Sequence, residues 1–176
     1  VAQTRQASNA DLFDLSGRVA VVLGGTGVLG GAMCHGLARA GAAVAVLGRS
    51  HERAVARVEA LRETGATAAA VVVDATDVRA LEAARHEVED QLGRVDVLLN
   101  APGMNGSTPL FEIDLEEWHR ILDANLTAVF LACQVFARGI VERGEGGSII
   151  DISSASSGPP LSGWPPTLYR KPASTT

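Results

Sequence analysis

Short apolar, β-branched runs alternate along this chain with longer stretches in which apolar residues recur every three or four positions. Arg18 to Leu23 is a buried-strand pattern that ends in glycines. Gly31 to Ala40 reads as a helix closed by Gly41, and Ala43 to Leu47 as a second strand. His51 to Glu63 is amphipathic, with Val55, Val58 and Leu61 on its inner face and Gly65 as its stop. Ala68 to Val73 is the third strand pattern, and a charged helix with Asp77 as N-cap runs from there to Leu92. Val95 to Leu99 is the fourth. Asp114 caps a helical stretch from about Leu115 to Glu142, broken near Asn125, and Ser148 to Ile152 is the fifth strand.

Strands apolar on both faces, alternating with helices, belong in a parallel sheet covered on both sides. The expected fold class is therefore α/β, a Rossmann-type doubly wound parallel sheet in order 3-2-1-4-5, ending after its fifth strand. One domain is expected: residues 1–16 as a loose leader, 17–153 as the Rossmann core, and 154–176 as an irregular tail. In that tail Gly158, Pro159, Pro160, Gly163, Pro165, Pro166 and Pro172 forbid a continuous helix.

Composition narrows the picture. Aromatic residues make up 4% and hydrophobic residues 47% of the 176, so the core must be Ala, Val and Leu. A net charge of −5 offers no basic footprint for nucleic acid. No uninterrupted apolar run reaches the ~20 residues of a membrane span, and residues 1–16 lack the apolar stretch of a signal peptide. A cytoplasmic setting is expected. Cys34 and Cys133 both fall in apolar helical patterns and are expected to be packed thiols, with no metal bound.

The chemistry concentrates after the first strand. Gly24, Gly25, Thr26, Gly27, Val28, Leu29 and Gly30 carry a G-x-x-G-x-x-G spacing between a strand and a helix. Glycines let the backbone turn sharply and approach a pyrophosphate, which the helix N-terminus then favours. At the end of the second strand, Gly48 stands where a dinucleotide site often has an acid for the ribose, and Arg49 follows it. An Arg there accommodates a 2′-phosphate, so NADP is the expected cofactor, with NAD left open.

Taken with Asp74 after the third strand and Asn100-Ala101-Pro102-Gly103 after the fourth, this loop resembles the short-chain dehydrogenase/reductase family. The likeness runs from about Leu12 to Ser157. Residues 24–31 and 135–150 are most similar to the sugar-acid branch related to fructuronate (mannonate) oxidoreductases. The resemblance implies an NAD(P)(H)-dependent oxidoreductase that interconverts an alcohol and a carbonyl on a small molecule. It also implies that Asp74, with Ala75 beside it, meets the adenine, and that Asn100, Ala101 and Gly103 brace the cofactor. Asn125 would hold a water in a proton relay, and Ser154 would bond the substrate carbonyl. Tyr169 would be acid/base, with Lys171 as its electrostatic helper. A homo-oligomer formed through the fourth and fifth helices is implied as well.

The departures are informative. Leu23 replaces a Thr, and Ala101-Pro102 replace Asn-Ala in the family's N-N-A-G. Family members place Lys four residues after Tyr, one helical turn on, where its charge lowers the phenol pKa. Here Lys171 follows Tyr169 by two, and Pro172 comes next. Val1 and this tail suggest a truncated, frameshifted reading of a longer gene, with Lys171 as the original lysine. The alternative expectation is accordingly a non-catalytic nucleotide-binding remnant or an unstable fragment.

Overall fold

The computed structural model describes residues 13–154, except Ser107 and Leu110. Five strands alternate with helices: β1 (Val19–Leu23), α1 (Val28–Arg39), β2 (Ala43–Gly48), α2 (His51–Arg62), β3 (Ala68–Val72), α3 (Val78–Leu92), β4 (Val97–Asn100), α4 (Leu115–Leu122), a π-helical turn (Asp123–Thr127), α5 (Ala128–Arg143) and β5 (Ser148–Asp151). The strands form one sheet in the order β3-β2-β1-β4-β5. All four pairings are parallel. That is the expected α/β architecture and strand order.

Period-two alternation sends side chains from each strand to two separate cores. Val19, Val21, Leu23, Leu47, Val71 and Leu98 pack beneath α3 and α5 with Leu81, Val88, Ala132 and Phe136. Ala20, Val22, Val44, Val46, Val97 and Leu99 face the other way, onto Cys34, Ala54, Val58 and Leu61 of α1 and α2. Small Ala and Val side chains let helices lie close on both faces. The register brings Leu23 beside both Leu47 and Asn100, and Asn100 beside Asp151. One sheet edge therefore gathers the loops that carry the candidate chemistry.

Asp96 fastens the opposite edge. It accepts from the Val19 amide at 2.9 Å and from Arg18 at 3.0 Å, and it pairs with Arg143 at 3.1 Å. Arg143 also donates to the carbonyls of Val95 and Gly146. The C-terminus of α5 is thus tied to the start of β4.

Several expectations need correction. Helix α1 begins at Val28, three residues before the expected Gly31, because Gly30 and Gly31 sit within its tightly packed first turns. The inner face of α2 is Ala54, Val58 and Leu61, with Val55 only partly buried. Strand β4 starts two residues late, since Val95 and Asp96 are spent on the Arg143 junction. The break near Asn125 is a π-helical turn between α4 and α5. The helical stretch Leu115–Arg143 is, by length and composition alone, apolar enough to cross a membrane, although charged residues interrupt it and no unbroken apolar run in it reaches that length. Here Ala128, Ala132, Val135 and Phe136 instead pack into the core beneath the sheet.

Candidate functional site

The glycine loop is shaped by contacts that exclude side chains. Gly24 has φ +80°, and a Cβ on it would lie 2.7 Å from the Ala101 carbonyl oxygen. The loops after β1 and β4 therefore touch backbone to backbone. A Cβ on Gly30 would collide with the Gly24 carbonyl oxygen. The amides of Gly24 and Gly25 donate to the Leu47 carbonyl at 3.0 and 3.2 Å, and Gly27 N–H donates to the Gly24 carbonyl. These backbone bonds anchor the loop where Leu23 has no hydroxyl to offer.

Helix α1 starts at N-cap Gly27 with no capping side chain and no acid in its first turn. By contrast, Ser50, Asp77 and Asp114 cap α2, α3 and α4. Val28 is 92% exposed. The first turn of α1 follows closely on Thr26, whose side chain lies against Gly48 at the end of β2, and its uncapped N–H groups suit a pyrophosphate.

Across the loop, Gly48 is buried and Arg49 is exposed. Arg49 lies near Asp74. The Asp74 carboxylate accepts from the amide and hydroxyl of Thr76, at 3.0 and 2.7 Å. These bonds, with a smaller contribution from the Arg49 charge, hold its carboxyl below the usual range. Ala75 is buried in the same turn. The guanidinium of Arg57 presses on Gly31, and its Nε is buried without a hydrogen-bond partner. Nothing in the spacing of the amphipathic stretch from His51 to Glu63 singles this residue out.

At the other side, Asn100 is buried and its amide donates to Asp151 Oδ1 at 2.8 Å and to Cys133 Sγ at 3.3 Å. Cys133 is thus only partly buried and faces polar groups, whereas Cys34 is fully enclosed as expected. Burial raises the Cys133 thiol pKa, and the Asp151 charge adds to it. Asp151 was missed; its signal was a lone acid inside an apolar strand. The expected bracing of the cofactor by Asn100 stands beside an observed cross-strand tie to β5.

Asn125 lies in the π-helical turn and is 8% exposed. Its side chain binds the backbone of Met104 in the loop after Gly103. Ser154 follows β5 at the same sheet edge and is partly buried. Tyr169 and Lys171 lie outside the described residues. Among the described residues no group of His, Cys, Asp and Glu has the makings of a metal site.

Residues 18–166 match the family model described as short chain dehydrogenase. Gluconate 5-dehydrogenase of Gluconobacter oxydans is 35% identical over 150 residues, covering 85% of this chain and 58% of that protein. The 5-keto-D-gluconate 5-reductase of Escherichia coli K12 is 34% identical over 147 residues, covering 84% and 58%. The chain thus spans less than two thirds of the length of either relative. Among solved structures, a gluconate 5-dehydrogenase from Burkholderia cenocepacia in complex with NADP and tartrate superposes with a TM-score of 0.87. It is 32% identical, with 94% of this chain and 65% of that one covered.

Proposed function

The chain belongs to the short chain dehydrogenase family, and on that premise we propose that it binds NADP(H) and serves the interconversion of an alcohol and a carbonyl on a small sugar acid. The observation that carries the reading is the glycine cradle, with Gly24 seated against Ala101 and the uncapped start of α1 beside it. The residues present fit the cofactor. Amides of the α1 first turn suit the pyrophosphate, Arg49 a 2′-phosphate, and the Asp74–Ala75 turn the adenine. When bound, the nicotinamide supplies or accepts a hydride.

The chain's own groups have separate tasks. Asn125 holds the loop after β4 and is proposed to serve the proton relay. Ser154 is proposed to meet the substrate carbonyl, with Tyr169 as acid/base and Lys171 as its electrostatic helper. Because Lys171 stands two residues from Tyr169, strong cofactor binding with slow turnover is the expected pair of results. The sugar-acid assignment rests on the relatives named above, one of which is called a 5-keto-D-gluconate 5-reductase. A cytoplasmic homo-oligomer is part of the same proposal.

Calorimetric titration of the full chain with NADPH and NADH tests the binding claim. NADPH is expected to bind, and to bind more tightly than NADH. Absence of heat with either nucleotide would sink the proposal. Following NADPH absorbance with 5-ketogluconate then measures turnover separately.

A further inference from the structure

Gly48 ends β2 at the position where a carboxylate in other dinucleotide sites bonds the adenosine ribose. Its missing side chain is usually enough to account for a preference for a 2′-phosphate. In this fold, however, the space is not vacant. A Cβ built on Gly48 would lie 2.6 Å from Thr26 Oγ1 and 2.7 Å from Thr26 Cγ2, with Thr26 Cβ at 3.3 Å. Real Cβ atoms do not come within 3.0 Å of their neighbours, so no side chain fits there while Thr26 keeps its place.

Rotation of Thr26 does not relieve the clash. Two of the three staggered positions on its Cβ face Gly48, and Thr has only one hydrogen there to offer. Every rotamer leaves at least one heavy atom against Gly48. Backbone motion is restricted too, since Gly27 N–H is bonded to the Gly24 carbonyl and Gly25 N–H to Leu47.

We infer that Thr26 is a specificity-determining residue of the cofactor site: its side chain fills the space that a ribose-binding carboxylate at position 48 would need, and so bars the single substitution that would turn the site towards the cofactor without a 2′-phosphate. This rests on the reading that the chain binds NADP(H). Arg49 attracts the phosphate in the present site, while Thr26 keeps position 48 a glycine. A carboxylate introduced at Gly48 alone is useless, because it displaces the phosphate loop before it can reach a ribose.

The test is a set of full-chain variants read by thermal midpoint and by calorimetric affinity for NADPH and NADH. Gly48→Asp is expected to lower the midpoint and to bind NADH no better than the parent. Thr26→Ala/Gly48→Asp is expected to recover at least half of the lost midpoint and to bind NADH at least about tenfold more tightly than Gly48→Asp does. Gly48→Ala and Thr26→Ala/Gly48→Ala form a gentler pair that reads the steric coupling even if the Asp variants do not fold. A Gly48→Ala loss that Thr26→Ala leaves unrelieved overturns the inference. So does a Gly48→Asp variant that keeps the parent midpoint and binds NADH tightly. A double variant that regains its midpoint without gaining NADH affinity also overturns it, leaving Thr26 a purely structural role. A parent that does not prefer NADPH refutes the cofactor reading instead, a result visible before any variant is made.

Discussion

Asn125 holds Met104 by both of its backbone polar groups: Oδ1 accepts from the Met104 amide at 2.8 Å, and Nδ2 donates to the Met104 carbonyl at 2.8 Å. An amide is the side chain that can do both at once, which is why neither Asp nor Leu would serve. The π-helical turn between α4 and α5 carries Asn125 into position. A bulge of this kind re-aims one side chain without ending the helix.

Asn125→Ala is expected to destabilise the fold by about 2–4 kcal/mol, because it strands a donor and an acceptor together. Asn125→Asp should be at least as harmful, since it sets oxygen against the Met104 carbonyl. Urea unfolding measures both, and a loss below the range for Ala would mean that solvent satisfies Met104.

The two glycines Gly30 and Gly36, both on α1, should respond in opposite directions. Gly30→Ala forces a methyl into the Gly24 carbonyl and should cost about 2 kcal/mol or more, with NADPH binding lost. Gly36 has open space around it, so Gly36→Ala should stabilise by about 0.5–1 kcal/mol. Thermal unfolding of the pair decides whether contact or propensity governs this helix.

Arg49→Ala should weaken NADPH binding by about 1–3 kcal/mol, as expected for a lost charge-assisted contact, and leave NADH unchanged. An equal loss for both nucleotides would place Arg49 away from the 2′-phosphate.

Asp96→Ala should cost about 1.5–3 kcal/mol, because it strands the Val19 amide and removes one of the two carboxylates beside Arg143, with Glu145 left at 3.4 Å. Asp96 sits at the far edge of the sheet from the glycine loop. NADPH affinity in the folded fraction should therefore match the parent, and a change there would show that the two edges are coupled.

The two thiols should differ in reactivity. Burial pushes the Cys34 thiol up to about 11, the Arg57 charge opposing the shift only in part. Iodoacetamide at pH 8 should leave native Cys34 untouched and label the more accessible Cys133 slowly. Because the folded Cys34 pKa is raised, the unfolded thiol ionises first. Stability should fall as pH rises from the ordinary value of 9.0 towards 11. A smaller alkaline loss in Cys34→Ala than in the parent checks the sign.

Much of the fold was legible in the chain. The runs that became β1, β2 and β3 are apolar on both faces, and only a covered parallel sheet accommodates such segments, so architecture and strand order followed from local pattern. Helix caps at Asp77 and Asp114 were equally plain, because capping is chemistry within three or four residues. The glycine spacing marked the phosphate loop for the same reason.

What the sequence could not disclose depends on residues far apart in the chain meeting in space. Gly24 must be glycine partly because Ala101 lies against it, and Gly48 because Thr26 does. Cys133 was read as an apolar core residue, yet β5 brings Asp151 to it and to Asn100. Local periodicity reports which face of a segment is buried, since that is set by neighbours three or four positions away. Which atom then meets which is fixed only when the sheet register aligns Leu23, Asn100 and Asp151, and that alignment belongs to the tertiary structure.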